Sequence, residues 1–393
     1  MKRVEDRRAT GAQRGRVLVV VGTRPEAIKL APVVRELRQR GTAAGIGTTV
    51  LVTGQHPEMA RDSLADFGIE PDVDLGPPSG SLSLSAMTSH VMAGLEGWIG
   101  DADRPPIAHV VVQGDTTSVL AAALWAFYRR LPISHVEAGL RTPSLEEPFP
   151  EEGNRRLVSQ IATLHFAPTG GAVENLRRSG VEAGIELTGN TVVDALLWMA
   201  RTARPPQIPG LDWSRRRVLL ATVHRRESRG ERLQAILDGL IALVEEHDDV
   251  AVVLPVHPHP EIAGPVRRRL EGRERVHLTA PLAYRDFVGA LKSCHLVLTD
   301  SGGVQEEAPS LDRPVLVLRE RTERPEAVAS GAARVVGAQR QAIVHHAREL
   351  LRDEAAYARM AQAANPFGDG HAAERIARRI LEHVLEASTP GPA

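Results

Sequence analysis

The chain has 393 residues and a formal net charge of -1, with 42% hydrophobic and 25% charged residues. That length allows about two to three domains with large cores, and the composition excludes collagen-like repeats and long disorder. The charge balance argues against nucleic acid as a partner, and no apolar run approaches the ~20 residues of a membrane span. Cys294 is the one cysteine, which excludes an internal disulfide and a cysteine-based zinc site and makes the cytoplasm the natural compartment.

Aromatic residues are only 3%, so the core must be built from Val, Leu, Ile and Ala. Lysine occurs only at Lys2, Lys29 and Lys292, which makes Lys29 conspicuous in a chain that otherwise uses arginine.

Residues 1–15 are charged, lack the apolar stretch of a signal peptide and read as a short disordered extension. A buried strand is predicted at 17–21, followed by the loop Gly22-Thr23-Arg24-Pro25 and a helix with apolar Ala27, Leu30, Ala31, Val34 and Leu37. Pro25 suits a first helical position, and Pro32 should kink the helix. Further strands are predicted at 49–52, 109–112 and 133–136, with an Ala-rich helix at 118–130. The order is βαβα, hence a parallel sheet with ligands at the carboxyl ends of its strands.

The stretch 203–210, ARPPQIPG, is the most linker-like in the chain. After it come strands predicted at 218–222, 252–254, 276–278, 296–299 and 315–318, then a final helix at about 371–387. The fold class is therefore α/β: two Rossmann-like, doubly wound domains facing across a cleft. The boundaries expected are 16–193 and 194–370, with 371–393 returning as a helix to the first domain.

The strongest ligand signature is Thr299-Asp300-Ser301-Gly302-Gly303-Val304-Gln305-Glu306-Glu307. A strand ends, small residues allow close approach, and free N–H groups at a helix start favour phosphate. Glu307, one turn in, suits vicinal ribose hydroxyls; a tight turn with a solvated acidic first turn is the plainer reading. Arg319, Arg321 and Arg324 suit a diphosphate, or simply a solvated loop. His224, His257 and His259 also follow strands, but no carboxylate has ligand spacing beside them, so no metal site is expected.

Asp115, Glu137 and Glu151 follow strands or open helices in the first domain. Asp115 also suits an N-cap and Glu151 a first-turn carboxylate. Three such acids, with Arg24 and Lys29 for negative charge, favour proton transfer. A nucleotide-diphosphate site plus acids describes a nucleotide-sugar enzyme of glycosyltransferase-B architecture, without choosing between sugar transfer and epimerisation.

The segments GTRPEAIKLAPVV (22–34), TGQHPEM (53–59), VVQGDTTS (111–118), HVEAGLRT (135–142), PFPEEGNRR (148–156), TGNTVVDAL (188–196), TVHRRE (222–227), LTDSGGVQEEAPSL (298–311) and NPFGDG (365–370) run in order through nearly the whole chain. With them the chain resembles the non-hydrolysing UDP-N-acetylglucosamine 2-epimerases. The resemblance implies reversible conversion of UDP-GlcNAc to UDP-ManNAc by elimination and re-addition of UDP, with no cofactor and no metal. It implies a homodimer serving surface-polysaccharide synthesis. It matches Asp115, Glu137, Glu151 and His224 to catalytic positions, with Asp115 and Glu151 for proton transfer and Glu137 for charge at C1 or sugar orientation. Arg24, Lys29, Ser301, Gly302, Gly303, Glu307 and Arg324 match substrate-binding positions. Phe287 fits a uracil slot or ordinary core packing.

Gln55 and His257 match a second UDP-GlcNAc site of regulated members. Glu58 stands where those members carry Gln, and 74–82 lacks their arginine, so this form of activation is not expected. Ser228 replaces the usual Asn of HRREN. The alternatives are a C2 epimerase of another UDP-2-acetamido sugar, a glycosyltransferase of the same architecture, or a sensor without turnover.

Overall fold

The computed structural model describes residues 15–79, 83–99 and 105–387. Among these residues thirteen strands form two all-parallel sheets, one in each of two compact units. The first unit comprises the described residues up to Ala195 together with those from Gly368; the second is Leu196–Phe367.

In the first unit the strands are β1 (Gly15–Val21), β2 (Ile46–Val52), β3 (Val73–Asp74), β4 (Ile107–Gln113), β5 (Ile133–Val136), β6 (Leu164–Ala167) and β7 (Ile185–Leu187), in the spatial order β3-β2-β1-β4-β5-β6-β7. In the second they are β8 (Arg217–Thr222), β9 (Val250–Pro255), β10 (Val276–Thr279), β11 (Leu296–Thr299), β12 (Val315–Val317) and β13 (Ala333–Val335), in the order β10-β9-β8-β11-β12-β13. Helices cover both faces, so the central strands read as continuous apolar runs: Val17, Leu18, Val19 and Val21 are fully buried, as are Leu219, Leu220 and Ala221.

This order places the functional loops. The direction of winding reverses between β1 and β4, and again between β8 and β11. Ligands collect at the carboxyl ends of strands where the winding reverses. The loops at those ends begin at Gly22 and Gly114 in the first unit, and at Val223 and Asp300 in the second.

The fold class agrees with the sequence expectation. The short strands β3, β6, β7 and β13 were not expected. Pro32, expected to kink its helix, lies inside the helix Arg24–Ala44. The stretch 203–210 is not the link between units, because the chain divides between Ala195 and Leu196. It is pinned to the second unit: Trp213 Nε1 donates to the Pro206 carbonyl at 3.0 Å, and a Cβ on Gly289 would lie 1.9 Å from the Arg204 carbonyl oxygen. The extension expected at 1–15 lies outside the described residues except for Gly15, which opens β1.

The returning helix, Ala372–Ala387, belongs to the first unit. Its first amides, on Ala372 and Ala373, donate to the buried Asp194 carboxylate at 3.3 and 2.8 Å. Arg40 on the helix Arg24–Ala44 pairs with Glu374 at 2.8 Å.

Candidate active site

In the first unit, Gly22 lets three loops converge. A Cβ there would lie 2.7 Å from Ser118 Cβ, so only glycine permits the approach. Ser118 Oγ donates to Gln55 Oε1 at 2.7 Å and lies 2.9 Å from Thr53 Oγ1.

The three expected acids have distinct surroundings. Glu137 follows β5 in a left-handed conformation, φ 63°, and is buried. Lys29 Nζ meets both its oxygens at 2.6 and 2.7 Å, Asn190 Nδ2 donates at 3.0 Å, and Gln113 Nε2 donates as well. Lys29, expected to meet negative charge, is on Glu137. Asp115 lies partly open beside Arg155, whose Nε and Nη2 approach Oδ2 at 2.8 and 2.6 Å. Asn154 Nδ2 donates to the Asp115 carbonyl at 2.7 Å. Thr116, not Asp115, caps the following helix by accepting from the Val119 amide at 3.4 Å.

Glu151 is the first residue of the helix Glu151–Ile161. Its Oε2 is buried and has no hydrogen-bond partner among the described residues. An unsatisfied buried carboxylate oxygen costs stability unless a proton or ligand meets it.

Glu26 was assigned no role from sequence. It is 2% exposed, and its carboxylate accepts from the Gly22 amide at 2.7 Å and the Thr23 hydroxyl at 2.9 Å. Burial pushes its pKa up to about 7, against those hydrogen bonds, and the Asp115 charge adds to the rise. Arg24 is the half-buried first residue of its helix.

In the second unit, Asp300 is fully buried after β11. It accepts from the amides of His224 and Arg225, at 3.0 and 2.8 Å, and from Ser228 Oγ at 2.8 Å. His224 Nδ1 lies 3.2 Å from its Oδ1. The His257 ring stacks near His224, with centroids 6.2 Å apart. Burial, more than the neighbouring Arg225, His257 and Arg319, holds the His224 pKa below its usual value, while Asp300 pushes it up.

The helix after Asp300 is short, Gly302–Glu307. Ser301 donates its amide to Thr299 Oγ1 at 2.9 Å. A Cβ on Gly303 would meet nothing within 4 Å, whereas one on Gly302 would lie 3.7 Å from the guanidinium groups of both Arg225 and Arg324. This backbone turn is open to a ligand and flanked by cations. Tyr284 OH donates to Glu307 Oε1 at 2.9 Å, and Phe287 lies half-buried one turn beyond Tyr284. Arg324 pairs with the buried Glu306, and Arg319 with Glu227 and Glu323.

Of the residues matched to a second site, Gln55 holds Ser118 and His257 stacks on His224. Glu58 is exposed, and Arg61 is engaged by Asp74. The segment 80–82 lies outside the described residues. His345, His346 and Glu349 bring metal-ligand atoms within 4.8 Å of one another, but Arg334 sits on Glu349 at 2.7 Å and on His346 Nδ1 at 3.1 Å. A guanidinium already fills that cluster.

The family model for UDP-N-acetylglucosamine 2-epimerase matches residues 36–381. The chain belongs to that family. It is 45% identical over 371 residues to the UDP-N-acetylglucosamine 2-epimerase of Salmonella borreze, covering 92% of this chain and 97% of the relative. It is 44% identical over 380 residues to that of Escherichia coli K12, covering 94% and 99%. The structure of the Neisseria meningitidis UDP-GlcNAc 2-epimerase bound to UDP-GlcNAc is 39% identical, with a TM-score of 0.82 and coverage of 93% and 100%. As a member of the epimerase family, this chain has two parallel-sheet units, and Gly22, Gly114, Val223 and Asp300 stand at strand ends within the segments that carry the resemblance.

Several contributors escaped sequence reasoning. Gln113, Asn154, Arg155 and Asn190 lie within segments that carry the resemblance, yet nothing in their spacing shows which acid each one holds. Asp300 stands in the ligand signature, where the eye goes to the glycines. Tyr284 carries no local signal.

Proposed function

We propose that the protein interconverts UDP-GlcNAc and UDP-ManNAc by elimination and re-addition of UDP. C2 of the sugar carries no acidic proton, so direct removal would leave an unstabilised carbanion. A base takes the C2 proton as the C1–O bond breaks. That bond's electrons leave with the β-phosphate oxygen of UDP, and a C1=C2 double bond forms, giving 2-acetamidoglucal. Re-addition of UDP at C1, with a proton delivered to the opposite face of C2, completes the inversion.

The observation that carries this reading is the contrast among the three acids. Glu151 has a buried oxygen without a partner among the described residues, and Asp115, partly open, meets Arg155 through Oδ2 alone among them. These two serve proton transfer on the two faces of C2. Glu137, already accepting from Lys29, Gln113 and Asn190, suits charge stabilisation at C1 and sugar orientation instead. Proton movement between reacting carbon and positioned acid or base needs just such separate environments.

Ser301, Gly302 and Gly303 receive the diphosphate, with Arg324 and Arg24 supplying positive charge and Lys29 acting through Glu137. Glu307, held by Tyr284, takes the ribose hydroxyls, and Phe287 lines the uracil slot. His224 serves the leaving phosphate. No step calls for a cofactor or metal. The cytoplasm, where UDP-sugars are made and thiols stay reduced, is the compartment we propose.

A homodimer is the assembly proposed. Phe127 and Tyr128 leave 50% and 70% of their surface exposed, and Tyr128 lines a cavity of about 650 Å³ with Met92, Ala93, Glu96, Trp125 and Arg129. A second copy would cover these aromatics.

The test is isosteric removal of each acid. Asp115→Asn and Glu151→Gln should each lower kcat at least about a hundredfold while UDP affinity holds. Near-normal turnover in either would remove that residue from proton transfer.

A further inference from the structure

We propose that Asp300 is the positioning residue for His224: its carboxylate faces Nδ1, so that the imidazolium, protonated from solvent, presents its Nε2 proton to the departing diphosphate and returns to the neutral ring as that proton is given up. The proposal rests on reading His224 as the group that serves the leaving phosphate.

The geometry is that of a buried acid behind a partly open histidine. Asp300 has no exposed surface, while the His224 side chain keeps 38% of its own. Nδ1 faces Oδ1 at 3.2 Å as an ion-pair contact, and because a carboxylate only accepts, a proton on Nδ1 is the arrangement that suits it. The two backbone amides and Ser228 Oγ already satisfy Asp300 as the acceptor that shapes the turn after β8. The contact with Nδ1 is additional to that structural duty. When Nε2 also takes a proton, Asp300 stabilises the imidazolium, while Arg225, His257 and Arg319 oppose it.

The Ser228 hydroxyl donates to Oδ2 at 2.8 Å. That bond draws charge from the carboxylate and so tempers its pull on His224.

The dyad is tested on the full chain labelled with ¹⁵N-histidine, using long-range ¹H–¹⁵N spectra across a pH series, with no turnover required. The neutral His224 ring should show the Nδ1-protonated tautomer. Asp300→Asn should lower the His224 midpoint by about one unit or more. It should also lower kcat at least about tenfold, with KM for UDP-GlcNAc changed less than about threefold. An Nε2-protonated neutral ring, or a midpoint that Asp300→Asn leaves in place, would overturn the proposal. If Asp300→Asn does not fold, Ser228→Ala decides: freeing the carboxylate of one donor should raise the midpoint by a few tenths of a unit, and no change or a fall would overturn it. A normal dyad in a protein that does not epimerise would instead count against the proposed function.

Discussion

Glu26 shows how much one buried acid can set. It lies under the loop that joins β1 to its helix, and burial raises its pKa from 4.5 to about 7. A raised carboxyl pKa contributes its stability below the unfolded value and loses it as pH climbs through the folded one. The loss therefore runs from about pH 4.5 to above pH 7, and amounts to at most about 3 kcal/mol. Glu26→Gln, neutral at every pH, should gain stability relative to the natural protein between pH 5 and pH 8. Thermal unfolding at those two pH values checks the sign; a constant difference would show that Glu26 ionises freely.

At this scale the sequence is informative about types and silent about partners. Asp115, Glu137 and Glu151 stand out because each closes a strand or opens a helix. That Lys29 reaches Glu137 across 108 positions, and Asn190 across 53, depends on tertiary packing that no local pattern encodes. The paired and unpaired acids could be told apart only once their neighbours were in place.

At the scale of elements, long apolar runs were legible and short ones were not. β5 and β11 have the bounds expected: each is a run of four buried residues set between turn signals. β3, with two residues, and β7 and β13, with three each, offer no period to read. The proline-rich stretch 203–210 is linker-like in composition, yet contacts of its backbone with Gly289 and Trp213 hold it to the second unit.

One element-level contact was invisible in sequence: Asp194 receives the first amides of the helix Ala372–Ala387. Free amides at a helix start favour an acceptor, and losing one typically costs about 1 kcal/mol. Asp194→Ala should lower stability by about 1–2 kcal/mol and speed amide exchange at 372–376, while Asp194→Asn keeps most of the acceptor. Unchanged exchange in the alanine variant would show that the helix is anchored by packing alone.

For the whole molecule, regulation and assembly are the open behaviours. A second UDP-GlcNAc pocket needs positive charge, but Glu58 adds an anion and Arg61 is committed to Asp74. At several ångströms from a phosphate, such a carboxylate repels it by about 1 kcal/mol at an effective dielectric near 20. UDP-ManNAc alone should therefore be converted without a lag, and reverse activity that waits for trace UDP-GlcNAc would contradict this. Light scattering should give twice the 42.5 kDa chain mass, and Tyr128→Asp should shift it towards the monomer. A monomer in the natural protein would refute the assembly.

The central claim is that UDP leaves before the C2 proton returns from solvent to either face. Incubation of the purified protein with UDP-GlcNAc in deuterated water, followed by ¹H NMR, addresses it directly. The account predicts UDP-ManNAc formation with deuterium at C2 of both epimers. Epimerisation with the original C2 proton fully retained, or transfer of the sugar to an acceptor with no exchange at C2, would contradict it.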